Sequence, residues 1–335
     1  MNRVVCVTGS SSGIGAAIAL RLAREGFDLA LHCRQNLTGL FHTAARIRKL
    51  APQCRLRCFT ADLSDPLACN DLVGAVFHWG GHVTAWINNA GADILTNGAW
   101  EADFDTKMQA LWQVDVAATV RLSRLVAQRL LDSPLTTPAE PGHDAPTKSR
   151  LEQPPIVAPS SLPEHQLNDS SAYQSPSPPT PAPADPSPSP PAHPSSDQRQ
   201  VCPAATGDRP QPNSPTPSII NMGWDQAAYG MEGEAGQLFG TAKAAVEGFT
   251  KALSQTVGHR IRVNLIAPGW IKTAWGGRAE GTYWDQRACS ESLAGRWGTP
   301  EEVAEVVAWL ITDQASFVNG QRIEINGGRR WYPAD

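Results

Sequence analysis

The sequence predicts an α/β fold: a doubly wound, mostly parallel sheet in a single domain, interrupted by a long proline-rich insertion. Three observations point to it. Short apolar runs alternate with helical periods along the chain, which builds a parallel sheet with helices on both faces. A glycine-rich turn, Thr8-Gly9-Ser10-Ser11-Ser12-Gly13-Ile14-Gly15, separates the first apolar run from the first helical period. Between Pro134 and Pro217 lie 23 of the 28 prolines, with few apolar residues and no period. That stretch cannot bury enough surface to offset the entropy of ordering, so residues 134–217 are expected to be disordered. Residues 1–133 and 218–335 then form the two parts of one large α/β domain.

The elements follow in order. Strands are expected at Val4–Val7, Leu29–Cys33, Leu56–Phe59, Ala85–Ile87, Ile219–Met222, Ile261–Ile266 and Arg322–Ile325. Helices are expected at about Gly15–Glu25, Gly39–Leu50, Pro66–Trp79, Asp103–Leu131, Gln237–Val257 and Pro300–Thr312. Gly26 suits the left-handed residue that ends a helix. Thr299-Pro300-Glu301-Glu302 reads as a capping box with proline in the first turn.

Composition narrows the function. A formal net charge of −4 gives no support for nucleic-acid binding, which shows a basic face. No apolar run is long enough to cross a bilayer. The first strand begins within three residues, leaving no room for a secretion signal. The seven cysteines are scattered without a CxxC pair, so neither a metal site nor a disulfide framework is indicated. A reducing cytoplasm is the expected location.

The glycine-rich turn carries the chemistry. Between a strand and a helix it presents backbone N–H groups and the positive helix end to an anion. Its glycines permit tight turning and close approach of a diphosphate. Candidate contacts are Gly9, Ser11, Ser12, Gly13, Ile14 and Gly15. After the second strand comes His32-Cys33-Arg34-Gln35-Asn36, without a carboxylate to hold an adenosine ribose. Arg34 would instead attract a 2′-phosphate, which favours NADP over NAD, NAD remaining possible.

At this point the chain resembles the short-chain dehydrogenase/reductase family, over nearly everything except the proline-rich insert. Thr8-Gly9-x3-Gly13-x-Gly15 matches that family's phosphate loop, and the fold implied is of the Rossmann type. Asp62-Leu63 matches its adenine-contacting aspartate, and Asn88-Asn89-Ala90-Gly91 its motif after the fourth strand. Pro268-Gly269-x3-Thr273, with Ile271 inside it, matches the loop that holds the nicotinamide carboxamide. Arg296 to Ala304, Phe317 to Gln321 and Asn326-Gly327-Gly328 resemble the carbonyl reductase branch, acting on acyl-carrier-protein-bound β-ketoacyl groups. The stretch from about 268 to 299 corresponds to the family's mobile substrate cover. Members pair through helices like Asp103–Leu131 and Gln237–Val257, which implies a homodimer or homotetramer.

The catalytic pattern departs from the family's. There, a tyrosine exchanges the proton, and a lysine four residues on lowers its pKa and holds the ribose. A serine orients the carbonyl, and a helix asparagine supports a water relay. Here the matching segment is Phe239-Gly240-Thr241-Ala242-Lys243: Lys243 is kept, but Phe239 has no proton to give. The serine place falls at Gly223 or Trp224, and the asparagine place at Asp115. Two functions stay open. Either another group supplies the proton, with Asp225, Tyr229 and Glu234 as candidates and Asp115 as a ligand or relay group, or the domain binds nucleotide without turnover. A desolvated Asp225 could act as an acid, and Tyr229 could donate beside a cation.

Trp270, Trp275, Trp284 and Trp297 crowd the expected cover, and Trp224 could add a further wall. Stacked indoles suit a flat or apolar small-molecule substrate, or pack a lid onto the core. Arg278, Arg287 and Arg296 could hold an anionic group, or be solvated. The insert would hang from the edge opposite the coenzyme.

Overall fold

The five inner strands are fully buried because both of their faces are covered, which is the condition of a buried parallel sheet, while the two edge strands are half-exposed and more polar. The computed structural model describes residues 3–96, 98–132, 216–273, 277 and 281–330, all within one unit of the chain. The proline-rich insert expected at 134–217 lies outside the described residues, except for 216 and 217 at its end. Seven strands run β1 Val4–Val7, β2 Asp28–Cys33, β3 Leu56–Thr60, β4 Val83–Asn88, β5 Ser218–Met222, β6 Arg262–Pro268 and β7 Arg322–Ile325. Their order is β3-β2-β1-β4-β5-β6-β7, and every pairing is parallel. The order reverses between β1 and β4, and ligands of open α/β sheets bind outside the strand ends at such a switch point.

Helices α1 Gly13–Arg24, α2 Leu37–Leu50 and α3 Pro66–Gly80 lie where the periodicity expects them. So do α6 Gly233–Val257 and α8 Pro300–Leu310, the latter with its capping box formed at Thr299 and Glu302. Gly26 does end α1 in the left-handed region, at φ +78°. Successive strand residues feed opposite layers. Val5 and Val7 join Ile18, Leu22, Leu40, Ile47, Val303 and Val307 on one face. Val4 and Cys6 join Val73, Val76, Trp86, Leu122, Val126 and Val263 on the other.

Two differences from the expected elements bear on function. The helix expected at Asp103–Leu131 is three pieces: α4 Phe104–Leu111, a π-helical turn Trp112–Ala117, and α5 Ala118–Asp132. The wider turn re-aims one side chain, and it turns Asp115 inward to 3% exposure. The second is an extra helix, α7 Tyr283–Glu291, inside the expected cover. Its polar composition hides it from periodicity, since Ala288 is its one buried residue and aromatic stacking anchors it.

Candidate functional site

The turn after β1 is fixed by its glycines. Gly9 and Gly13 hold φ of +65° and +54°. A Cβ on Gly15 would stand 2.3 Å from Gly9 O and 2.5 Å from Asn89 Nδ2, so no side chain fits there. Asn89 Nδ2 donates to Thr8 O at 3.0 Å and Gly9 O at 3.1 Å, while Thr8 Oγ1 accepts from the amides of Asn89 and Ala90. Ser12 caps α1 in extended conformation with no side-chain hydrogen bond to the first turn. The first-turn amides of α1 therefore have no side-chain cap at a positive helix end, beside partly buried Ser11.

Beyond β2 and β3, Arg34 is exposed and Leu63 buried. Asp62 Oδ1 accepts from Ser64 N at 3.0 Å and Ser64 Oγ at 2.7 Å. Burial alone would raise the Asp62 carboxyl, but these hydrogen bonds and the charge of Arg34 hold it below its usual value. At the other end of the groove, Pro268 closes β6 and Gly269 N donates to Ile325 O at 3.0 Å. Ile271 is buried and bridges to Gly298. The Thr273 methyl lies 3.6 Å from where a Gly13 side chain would start, so the loop after β6 meets the start of α1 across the groove.

Lys243 and Asp115, chosen separately from the sequence, come together. Lys243 Nζ sits 2.8 Å from Asp115 Oδ2 and donates to Met222 O at 3.1 Å. Asp115 Oδ1 accepts from Ala92 N at 2.7 Å, and bare Gly91 leaves room for the carboxylate, 3.1 Å from its Cβ position. Phe239 packs edge-on against Trp224, with centroids 6.1 Å apart at 68°. A Cβ at Gly223 would come within 2.6 Å of Leu265 Cδ2, so a serine there requires the Leu265 side chain to shift. Behind the site, Asn88 Nδ2 donates to Asn221 Oδ1 and Ser123 Oγ, and Asn221 Nδ2 to Thr250 Oγ1, tying β4, β5, α5 and α6 together.

Asp225 and Tyr229 belong to a different cluster. Tyr229 is 40% exposed and its hydroxyl donates to Glu324 Oε1 at 2.7 Å. Asn326 Nδ2 then bridges Glu324 Oε2 and Asp225 Oδ2. Asp225 is buried, and desolvation pushes its carboxyl up to about 6 against the hydrogen bond from Asn326. Glu234 is drawn elsewhere again, to Lys107 at 2.7 Å.

The tryptophans sort into two groups. Trp270 packs on Trp284 and Trp297 at 5.9 and 5.7 Å, with its Nε1 donating to Glu291 and that of Trp297 to Asp285. These indoles stack α7 onto the loop after β6. Trp224 instead lies on Phe239, and Trp275 and Arg278 fall outside the described residues. The arginines expected to be solvated or to hold an anion are committed: Arg287 pairs with Glu232 and Glu291, and Arg296 with Glu302.

The comparisons agree with this architecture. Residues 3–135 match the family model for short chain dehydrogenase, and residues 207–330 match that for Enoyl-(Acyl carrier protein) reductase. Together the matches span well over half of the chain, which belongs to the short-chain dehydrogenase/reductase family, on its carbonyl reductase-like branch. The 3-oxoacyl-[acyl-carrier-protein] reductase FabG of Vibrio harveyi is 40% identical over 114 residues, 33% of this chain and 44% of that protein. The FabG of Chlamydia muridarum is 37% identical over 139 residues, 38% of this chain and 50% of that protein. The chain thus spans about half the length, or less, of the curated relatives it matches. Among solved structures, a Serratia marcescens short-chain dehydrogenase/reductase superposes with a TM-score of 0.66 at 21% identity, covering 98% of both chains. A Burkholderia cenocepacia short chain dehydrogenase in complex with NADP gives 0.65 at 22%, covering 98% of this chain and 97% of that one. These two likenesses concern the fold.

Proposed function

We propose that this protein is an NADP(H)-dependent oxidoreductase that moves a hydride between the coenzyme and a small organic substrate, without the family's tyrosine and serine. The observation that carries it is the preformed pyrophosphate cradle, where Gly15 touches Gly9 and Asn89 and the first-turn amides of α1 stand uncapped. When bound, reduced nicotinamide supplies the hydride. The first-turn amides with Ser11 and Ser12 hold the pyrophosphate, Arg34 the 2′-phosphate, Asp62 and Leu63 the adenine, and Asn89, Ala90 and Gly91 the adjoining strand end. Pro268, Gly269, Ile271 and Thr273 hold the carboxamide side. NADP named with the Burkholderia relative supports this coenzyme.

Lys243 keeps one further role. An ammonium has three N–H donors. Asp115 and Met222 take two, which leaves one for the ribose. Phe239 and Trp224 form an apolar wall that excludes water but gives no proton. Acid–base assistance is worth about 10² to 10⁴ in rate, whereas positioning contributes up to roughly 7–11 kcal/mol. The substrate is therefore one that needs little proton help, an activated alkene or an imine. Asp225 and Tyr229 bond into the β7 end and would act by shaping that wall. The relatives' names support a reductase. By family analogy the chain forms a homodimer or homotetramer through α4, α5 and α6.

One observation favours nucleotide binding without turnover: the retained lysine is already neutralised by Asp115. Titration of NADPH fluorescence, then mixing with carbonyl, alkene and imine panels, separates the two. Oxidation of NADPH by activated alkenes or imines but not by plain ketones is the expected result. Turnover of plain ketones would overturn the substrate class, and binding without oxidation on any panel would establish a binding protein.

A further inference from the structure

The Gly9 turn is gripped from two sides, each by a side chain that the glycine motif does not contain. On one side Asn89 holds the carbonyls of Thr8 and Gly9. On the other, Gly9 N donates to His32 Nδ1 at 3.3 Å. Further contacts reinforce this: Ser10 N donates to His32 O at 2.9 Å, and His32 N donates to the Ser10 side chain at Oγ, 2.9 Å away. His32 is the penultimate residue of β2, at 1% exposure, and its Nε2 lies 3.1 Å from Ala61 O, just after β3.

These contacts determine the tautomer. A carbonyl accepts and an amide donates, so Nε2 carries the hydrogen toward Ala61 O, and Nδ1 keeps its lone pair for Gly9. Only the neutral ring makes both bonds. Burial holds it neutral by lowering its pKa to about 4, while Asp62 opposes that shift. Arg34 and Asp62 are the charged groups at the same end of β2 and β3.

We propose that His32 is a positioning residue for the dinucleotide loop, its neutral Nε2–H imidazole clamping the Gly9 amide and joining that loop to the adenine-side segment at Ala61–Asp62. The Gly9 peptide is then held at both its N–H and its C=O, in a positive-φ conformation that would otherwise have alternatives. Loop and adenine wall move as one body, so a dinucleotide meets a prearranged surface and loses less freedom on ordering it. Only the consequence for binding rests on the proposed coenzyme; the clamp itself is a property of the unliganded chain.

Two measurements test it on the full chain. Nitrogen-15 NMR at pH 7 without coenzyme should find His32 protonated at Nε2 only, with slow exchange of the Gly9 amide. A ring protonated at Nδ1, or a freely exchanging Gly9 amide, overturns the clamp. His32→Phe should weaken both NADPH and 2′,5′-ADP by about tenfold or more in fluorescence and calorimetric titrations. His32→Gln, which keeps an acceptor and a donor, should recover most of that loss. Wild-type affinity in His32→Phe, or Gln no better than Phe, overturns the role in binding. If the wild-type protein binds neither probe, the coenzyme proposal fails while the NMR still decides the clamp. If His32→Phe does not fold, the same NMR on the wild-type chain decides it.

Discussion

The two ends of the groove have been treated differently. Around β1, β2 and the start of α1, every glycine the motif calls for is present: Gly9 and Gly15 are required by close contacts, and Gly13 by its positive φ. Around β5 and α6, Lys243 is kept, but Phe239 stands at the place the resemblance gives to the proton donor, Gly223 or Trp224 at that of the serine, and Asp115 at that of the asparagine. On the proposed reading, gripping a dinucleotide and moving a proton are separable demands on one fold. The grip is made by backbone, which tolerates almost nothing but glycine. The proton end is made by side chains, which can be replaced while strands and helices stay in place.

The strongest way to break this contrast is at Gly15. Gly15→Val should abolish NADPH binding by roughly 100-fold or more in a fluorescence titration, because its Cβ lands on Gly9 O. Retention of affinity would show that the turn is not the cradle. Next is Lys243→Met, which leaves Asp115 buried at 2% side-chain exposure without its cation. Loss of one partner of a buried pair costs about 3–5 kcal/mol, read as a fall in denaturation midpoint, with the double variant Lys243→Met, Asp115→Leu recovering much of it. No loss of stability would mean that the pair is solvated.

Acidity should separate the two ends by sign. His32 has its pKa lowered from 6.5 to about 4, so its stabilisation is present above pH 6.5 and is lost as pH falls toward 4, by about 3 kcal/mol. Asp225 has its pKa raised from 3.8 to about 6, so its burial costs nothing near pH 3 and about 3 kcal/mol above pH 6. Thermal melts should therefore show Asp225→Asn gaining on the wild type as pH rises from 4 to 7, and His32→Gln flattening the loss on the acid side. A pH-independent difference in either comparison would remove the contrast. The smallest effect is expected at exposed Arg34, where Arg34→Ala should reduce the preference for NADPH over NADH by about tenfold. Equal loss for both coenzymes would place the 2′-phosphate elsewhere.

The inner strands were legible because a sheet covered on both faces writes itself as apolar runs, and the half-exposed edge strands β3 and β7 as shorter, mixed ones. The glycine turn was legible because its requirement is local: a glycine at position 15 is needed by an atom six residues away. Lys243 and Asp115 were each visible as members of a pattern, but not as a pair. Their meeting depends on a π-helical turn at Trp112–Ala117 and on α6 crossing behind β5, and neither leaves a periodic mark. Helix α7 was hidden for a related reason, since stacked indoles rather than an apolar stripe hold it.

By itself, then, the chain's order of residues determined the alternating layers, the class of cradle and the absence of a tyrosine, because these follow from neighbours along the backbone. Tertiary structure alone decided that Asp115 neutralises Lys243, that Asp225 and Tyr229 bond into the end of β7, and that His32 clamps Gly9. Those are contacts between residues far apart in sequence, and their energies come from burial and direction, which exist only once the sheet has closed.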